Sequence, residues 1–244
     1  MIHKAMILAA GLGSRLKPWT DQHPKALAPV NGKSLLQRNI EYLQAFDIRD
    51  IIVNVHHFAD QIVAALQSHD GWGSRTTISD ETDAVLETGG GLKKAAWFFQ
   101  DTDDFVLMNV DILTDLDLAA MTRHHQERQA LATLAVSQRP TSRYFLFNPA
   151  MRLCGWRNKT TGEERIPLPA LVLQERAFSG VHIIKSAMLE KMQQTGKFSM
   201  VDVYLSLAGE RYIQGYDHTG SRFVDVGKPE SIAIAEKMFP PTEI

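Results

Sequence analysis

From Lys4 to Ser137 the sequence alternates short apolar runs with amphipathic stretches, and this alternation narrows the possible fold more than any other feature. Short runs rich in Ile and Val, bounded by Gly, Asn and Asp, read as buried strands. Apolar residues spaced three and four apart read as helices packed on a sheet. The pattern predicts strands over Lys4–Ala9, Asp50–Val55, Arg75–Ser79, Phe105–Asn109 and Ala130–Ser137, with helices over Ser34–Phe46, Ala59–Gln67, Gly90–Phe98 and Leu116–Arg128. Strand and helix in alternation imply β-α units, hence an α/β fold with a Rossmann-like, doubly wound and mostly parallel sheet. Such sheets bind ligands beyond the carboxyl ends of their strands, so the loops after Ala9, Ser79 and Asn109 are where chemistry is expected.

After Arg139-Pro140 the character changes. Arg143–Phe147 and Met151–Trp156 read as two strands around an Asn148-Pro149 turn, a small β-hairpin excursion. Beyond it, Phe178–Ile184, Tyr212–Tyr216 and Arg222–Asp225 read as strands, and Ala187–Gln194, Val201–Gly209 and Pro229–Met238 as helices. The 244 residues, 44% hydrophobic, suffice for the core of one α/β domain spanning the chain. Lys plus Arg number 26 against 28 Asp plus Glu, a balance that does not suit a nucleic-acid surface. The lone Cys154 cannot form an internal disulfide or a cysteine metal cluster and is expected in the core. The apolar run Ala5–Ala10 is too short for a signal sequence, and no stretch approaches the ~18 apolar residues of a membrane helix, so a cytoplasmic protein without membrane association is expected.

The first strand runs into Leu8-Ala9-Ala10-Gly11-Leu12-Gly13-Ser14-Arg15-Leu16. Glycines there turn the chain tightly and let backbone N–H groups approach an anion. A dinucleotide turn would need a small residue where Leu16 stands, and Pro18 opposes an immediate long helix. A P-loop fails as well, because Leu27 holds the place of its first glycine before Gly32-Lys33-Ser34. Arg15, and Lys25 in Pro24-Lys25-Ala26-Leu27-Ala28-Pro29-Val30, add cations suited to a triphosphate.

The run from Leu8 to Val30 resembles the signature of the sugar-phosphate nucleotidylyltransferases, L-A-A-G-x-G-T/S-R-L followed by P-K and P-V. The resemblance implies that Leu8, Ala10, Gly11, Gly13 and Ser14 wrap a nucleoside triphosphate, and that Arg15 and Lys25 contact its phosphates and those of a sugar 1-phosphate. It further divides the chain into a nucleotide-binding part up to about residue 138 and a sugar-binding part after it.

Two strands end on carboxylates: Phe105-Val106-Leu107-Met108-Asn109-Val110-Asp111 and Arg222-Phe223-Val224-Asp225. Mg²⁺ prefers such hard oxygen ligands and is commonly held by one or two carboxylates, with phosphate oxygens and water completing its shell. In the resembling family these positions are the metal ligands, so Asp111 and Asp225 are expected to hold Mg²⁺, although Val110 and Phe223 replace the family's usual glycine and tryptophan. Leu86-Glu87-Thr88-Gly89-Gly90-Gly91 reads as a glycine loop before a helix and is similar to the base-recognition loop of enzymes acting on N-acetylmuramate 1-phosphate (uridylyltransferases) or on mannose or heptose 1-phosphate (guanylyltransferases). Glu87, Thr88 and Gly89 are the base candidates, with UTP favoured. For the sugar, Phe178-Ser179-Gly180 resembles the family's sugar strand and gives Gly180, with Asn109 and Asp202 as further candidates. The pairs His56-His57 and His124-His125 are read as surface or loop residues, since adjacent residues face different ways.

The expected reaction joins a nucleoside triphosphate to a sugar 1-phosphate with loss of pyrophosphate. A cytidylyltransferase for phosphocholine or a similar alcohol phosphate would share the opening loop and differ in the acceptor pocket, which places the distinction in residues 141–176. A regulator that binds nucleotide sugars without turnover is the alternative outside enzymes.

Overall fold

The computed structural model describes residues 2–240. In chain order the strands are β1 (Lys4–Leu8), β2 (Pro29–Val30), β3 (Lys33–Ser34), β4 (Asp50–Val55), β5 (Arg75–Asp80), β6 (Asp104–Asn109), β7 (Ile112–Thr114), β8 (Ala132–Ser137), β9 (Arg143–Phe147), β10 (Leu153–Asn158), β11 (Glu164–Arg165), β12 (Gln174–Lys185), β13 (Ile213–Asp217) and β14 (Phe223–Asp225). The helices are α1 (Leu35–Gln44), α2 (Ala59–Ser68), α3 (Glu87–Lys94), α4 (Leu118–Arg128), α5 (Met200–Ala208) and α6 (Pro229–Met238).

The strands predicted before residue 138 form the sheet, with β5, β4, β1 and β6 side by side and parallel. Their alternating residues fill two layers, as the two-residue period requires. On β1, Ala5 and Ile7 enter the layer under α1, α2 and α4, while Met6 and Leu8 enter the layer under α3 and α5. On β6, Val106 and Met108 likewise face the first layer and Phe105 and Leu107 the second. Ser34 starts α1 by accepting from Gln37 N–H at 3.1 Å. Asp117 starts α4 in the same way, accepting from Ala120 N–H at 2.9 Å, so that helix begins two residues later than its apolar pattern suggested.

Beyond β6 the order departs from simple β-α succession. The long β12 lies between β6 and β8 and runs antiparallel to both, and β13 adds to β8 in parallel. One edge of β12 serves two partners: Val181–Lys185 pair with β6, and Gln174–Arg176 pair with β9 of the excursion. The predicted hairpin is present as β9 and β10, extended by β11. Between Phe178 and His182 the register against β8 shifts, which places Ser179 and Gly180 in an irregular stretch beside the end of β6.

Several expectations need correction. The glycines Gly89–Gly91 lie within α3 and not in a loop before it, because this helix is pressed against its neighbours too closely for side chains. A Cβ on Gly89 would stand 2.5 Å from the Phe198 ring, one on Gly90 2.5 Å from the Gly196 carbonyl oxygen, and one on Gly91 2.6 Å from Glu81 Oε1. The helix expected over Ala187–Gln194 is a short 3-10 turn over Ser186–Lys191. His125 is fully buried, contrary to the surface reading: its ring bonds Thr133 Oγ1 at 2.7 Å and approaches Asp104 Oδ1 at 3.3 Å, so the polar nitrogens are satisfied inside the core. Cys154 is buried as expected. Among the described residues no helix is long and apolar enough to cross a membrane.

Candidate active site

The carboxyl ends of β1, β4 and β6 meet at one level: Leu8 is paired with Asn54 on one side and with Asn109 on the other. Asn54 is buried and accepts the Ala9 N–H on Oδ1 at 2.7 Å, while its Nδ2 donates to Glu81 Oε1 at 2.8 Å. Burial pushes the Glu81 carboxyl up, against the hydrogen bonds from Asn54 and Leu86. This buried chain fixes the exit of β1, from which the glycine loop departs. Among the described residues no backbone carbonyl takes the N–H of Ala10, Gly11, Leu12 or Gly13. A loop with several unused N–H donors is a ready anion cradle.

Gly13 ties that loop to the second cation. Its φ is +63°, and a Cβ there would meet Thr20 Cγ2 at 2.8 Å and Lys25 Cβ at 3.0 Å. The Gly13 carbonyl also accepts from Thr20 Oγ1 at 3.0 Å and from Leu16 N–H at 2.8 Å. The Lys25 stem thus packs against the glycine turn, and its ammonium forms an ion pair with Asp111.

The two aspartates come from distant segments and are joined by strand pairing. β7 and β14 run antiparallel with Asp225 opposite Ile112, and Val226 N–H donates to the Asp111 carbonyl at 2.8 Å. Desolvation in the cleft pushes the Asp225 carboxyl up, and the neighbouring Asp111 charge adds to this, against the pull of Lys25, Arg15 and Arg139. Arg15 lies over Gly227, where a Cβ would be 2.8 Å from its guanidinium and 2.7 Å from Asp225 Oδ1. Two close carboxylates that repel one another, ringed by cations suited to phosphate, are the donor set that Mg²⁺ takes alongside a bound triphosphate. Among the described residues no group of three or more His, Cys, Asp or Glu could hold a metal ion by itself; a carboxylate pair would leave the other positions of a bound Mg²⁺ to phosphate and water. Val110, at the family's glycine position, is buried with its carbonyl held by Asn39 Nδ2 at 2.8 Å.

A cavity of about 400 Å³ opens over these groups and is lined by Leu8, Ala10, Gly11, Gly13, Ser14, Arg15, Lys25, Glu87, Thr88, Asn109 and Asp111 among the residues predicted from sequence. Asn54, Glu81, Ser199 and Gly227 line it too and were not anticipated. The signal for Asn54 was present: it is the one polar residue within the apolar run of β4, next to last in the strand, as Asn109 is the polar residue that ends β6.

Four predicted residues stand elsewhere. Gly89 is buried with its N–H donated to the Phe198 carbonyl at 3.0 Å. Gly180, at φ +72°, lies under Asn109 and Ile112 and away from the cavity wall. Asp202 starts α5 in a reciprocal cap with Ser199 and pairs with Arg165 at 2.7 Å. Burial raises its carboxyl, but the bonds from Arg165 and Ser199 outweigh that and hold it below the usual range. Asp225 sits beside the lining residue Gly227.

A second cavity of about 320 Å³ shares Thr88 and Asn109 with the first and is walled by Phe145, Trp156, Phe178 and Tyr204, with Thr141, Arg143 and His182 as polar members. His182 Nδ1 bonds the Tyr204 hydroxyl at 2.6 Å, and complete burial pushes its pKa down to about 3, so the ring is neutral. Most of these walls come from the hairpin and from β12; sequence reading had put the distinction between acceptors in residues 141–176, and of the sugar residues it named, Asn109 alone lines this cavity.

A mostly parallel α/β sheet with an N–H cradle, two basic side chains and paired carboxylates at its carboxyl edge is an arrangement suited to binding a phosphorylated ligand. The chain belongs to the family described as Nucleotidyl transferase, which it matches over residues 4–239. It is 30% identical over 240 residues, 95% of both chains, to the N-acetylmuramate alpha-1-phosphate uridylyltransferase of Caulobacter vibrioides. It is 24% identical over 230 residues to the mannose-1-phosphate guanyltransferase of Yarrowia lipolytica, covering 93% of this chain and 61% of that one. Among solved structures, HddC of Yersinia pseudotuberculosis in complex with GMP-PN superposes with a TM-score of 0.77 at 23% identity, over 98% of this chain and all of that one, a likeness of fold.

Proposed function

We propose that the protein transfers a nucleotidyl group, uridylyl in first preference, from a nucleoside triphosphate to a sugar 1-phosphate, with release of pyrophosphate. The observation that carries the reading is the convergence of the free N–H loop, Arg15, Lys25 and Asp111 on one cavity, with Asp225 just behind its lining residue Gly227 and a second, aromatic cavity sharing Thr88 and Asn109 with the first. The preference for UTP rests on the uridylyltransferase relative that this chain matches along nearly its whole length.

In the reaction an oxygen of the sugar phosphate attacks the α-phosphorus in line, the bond to the bridging α–β oxygen breaks, and pyrophosphate leaves with that oxygen. Both reactants are anionic, so the protein's work is to hold them together and to offset charge as it shifts to the leaving group. The backbone donors of Ala10–Gly13 and the Arg15 guanidinium serve the triphosphate. Lys25, now paired with Asp111, turns its ammonium to the incoming sugar phosphate. Asp111 and Asp225 would hold Mg²⁺, which supplies positive charge at the phosphates. The attacking oxygen is already deprotonated at neutral pH, so no general base is needed, which agrees with a buried neutral His182 as the nearest imidazole in the acceptor cavity.

The test is pyrophosphate release from UTP, GTP, CTP and dTTP, each against a panel of sugar 1-phosphates and phosphocholine. Turnover with a sugar 1-phosphate supports the reading; turnover with phosphocholine alone would assign the cytidylyl alternative, and binding without turnover the regulator.

A further inference from the structure

Six arginines lie between residues 139 and 176. Five are engaged. Arg139 donates to the Phe178 carbonyl and Arg152 to that of Ala208. Arg157 pairs with Glu175, Arg165 with Asp202 and Arg176 with Asp217. Arg143 differs: among the described residues its guanidinium has neither a carboxylate within ion-pair distance nor a hydrogen-bond acceptor, and only its backbone N–H is used, toward Thr141 Oγ1. It stands at the first position of β9 and lines the aromatic cavity, not the one that holds Arg15, Lys25 and Asp111.

A permanent cation at the edge of a concave, otherwise uncharged pocket is matched by an anion on the ligand. The anions of the reaction itself are already served in the neighbouring cavity by Arg15, Lys25 and the N–H cradle. The rest of the aromatic cavity suits the remainder of a sugar: Trp156 and Phe178 supply apolar ring surface for C–H groups, and Thr141, Thr88 and Asn109 offer polar contacts to hydroxyl or amide groups. No carboxylate lines the cavity to neutralise Arg143 from the protein side.

We infer that the acceptor is a sugar 1-phosphate bearing a carboxylate on a ring substituent, and that Arg143 is the specificity-determining residue that binds this carboxylate. The inference rests on the nucleotidyl-transfer reading and names its acceptor class. A planar guanidinium meets a carboxylate through two parallel hydrogen bonds, which an ammonium cannot reproduce.

The experiment compares N-acetylmuramate 1-phosphate with N-acetylglucosamine 1-phosphate, which lacks the carboxylate-bearing lactyl ether, in wild type, Arg143→Gln and Arg143→Lys. Arg143 is exposed, so the variants are expected to fold, and circular dichroism checks this. In wild type the carboxylated acceptor should have the higher kcat/KM. Arg143→Gln should lower it by about 10- to 100-fold, chiefly through KM, with Arg143→Lys intermediate and the plain acceptor changed by less than about twofold. An equal fall for both acceptors would overturn the inference, as it would place Arg143 on the shared phosphate; so would no change for either. The transfer reading itself fails only if the whole panel of sugar 1-phosphates is silent; should these two acceptors not turn over, calorimetric titration of each into wild type and Arg143→Gln decides the carboxylate contact alone: selective loss for the carboxylated acceptor supports it and equal affinities refute it.

Discussion

Adding one methyl group at Gly180 should disturb the Asp111–Asp225 pair through Ile112. Gly180 has φ +72°, and its missing Cβ would lie 2.6 Å from Ile112 Cγ1, 3.3 Å from Ile112 Cδ1 and 3.1 Å from Asn109 Nδ2. The left-handed backbone costs an alanine roughly 1–2 kcal/mol. The overlap adds about 1–3 kcal/mol, because Ile112 is buried and cannot swing aside freely. Gly180→Ala is therefore expected to destabilise the fold by about 2–5 kcal/mol, against about 1–2 kcal/mol for Gly162→Ala, which has a similar φ of +74° and nothing within 4 Å. The difference between the two variants isolates the contact with Ile112. Since Ile112 follows Asp111 in sequence and pairs with Asp225 across β7 and β14, whatever shift relieves the overlap displaces the aspartates, and transferase activity should fall more in Gly180→Ala than in Gly162→Ala. Urea denaturation followed by circular dichroism gives the stabilities and pyrophosphate release gives the activity. Equal destabilisation in both variants would refute the close packing beneath the site.

Lys25→Ala should raise KM for the sugar 1-phosphate about tenfold or more while triphosphate affinity, measured calorimetrically, stays within about twofold; equal losses would contradict the division of labour between Lys25 and Arg15. His182 is neutral in the folded protein, with its pKa pushed down to about 3 by burial, whereas the unfolded chain takes up the proton near 6.5. Its contribution is thus present above pH 6.5 and is lost as pH falls toward about 3, by about 2–3 kcal/mol between pH 7.5 and 4.5. Replacing it as His182→Asn should flatten the dependence of the urea midpoint over that interval relative to wild type, and an unchanged slope would show that His182 does not carry it.

Local pattern sufficed wherever one element's own burial decides its conformation. Asp50–Val55, Arg143–Phe147 and Pro229–Met238 begin and end where apolar spacing places them. The opening loop was legible through its glycines and its resemblance to the family signature, and its residues line one cavity with Arg15 and Lys25. What escaped depends on partners distant in sequence. Nothing in Phe178–Ile184 alone says that β12 inserts between β6 and β8, and nothing in Glu87–Gly91 alone says that the Phe198 and Gly196 segment presses on α3 and makes a glycine run helical. The same holds for His125, whose burial is tolerated only because Thr133 and Asp104 meet its nitrogens. Asp225 ends its strand as expected, whereas Asp111 stands in the turn two residues past the end of β6 and not on the strand; their pairing is a product of the β7–β14 ladder. The walls of the aromatic cavity come from β9, β10, β12 and α5 together, so no single stretch of sequence displays them.

The most direct measurement follows pyrophosphate release from UTP and a sugar 1-phosphate as Mg²⁺ is titrated, in wild type and in Asp225→Asn. Loss of several kcal/mol of charge stabilisation corresponds to about a thousandfold in rate. The account predicts saturable dependence on Mg²⁺ in wild type and a fall of about that size in the variant, with the circular dichroism spectrum unchanged. Release that is indifferent to the metal, or a variant that keeps the wild-type rate, would contradict the assignment of Asp111 and Asp225 as the pair that holds the cation.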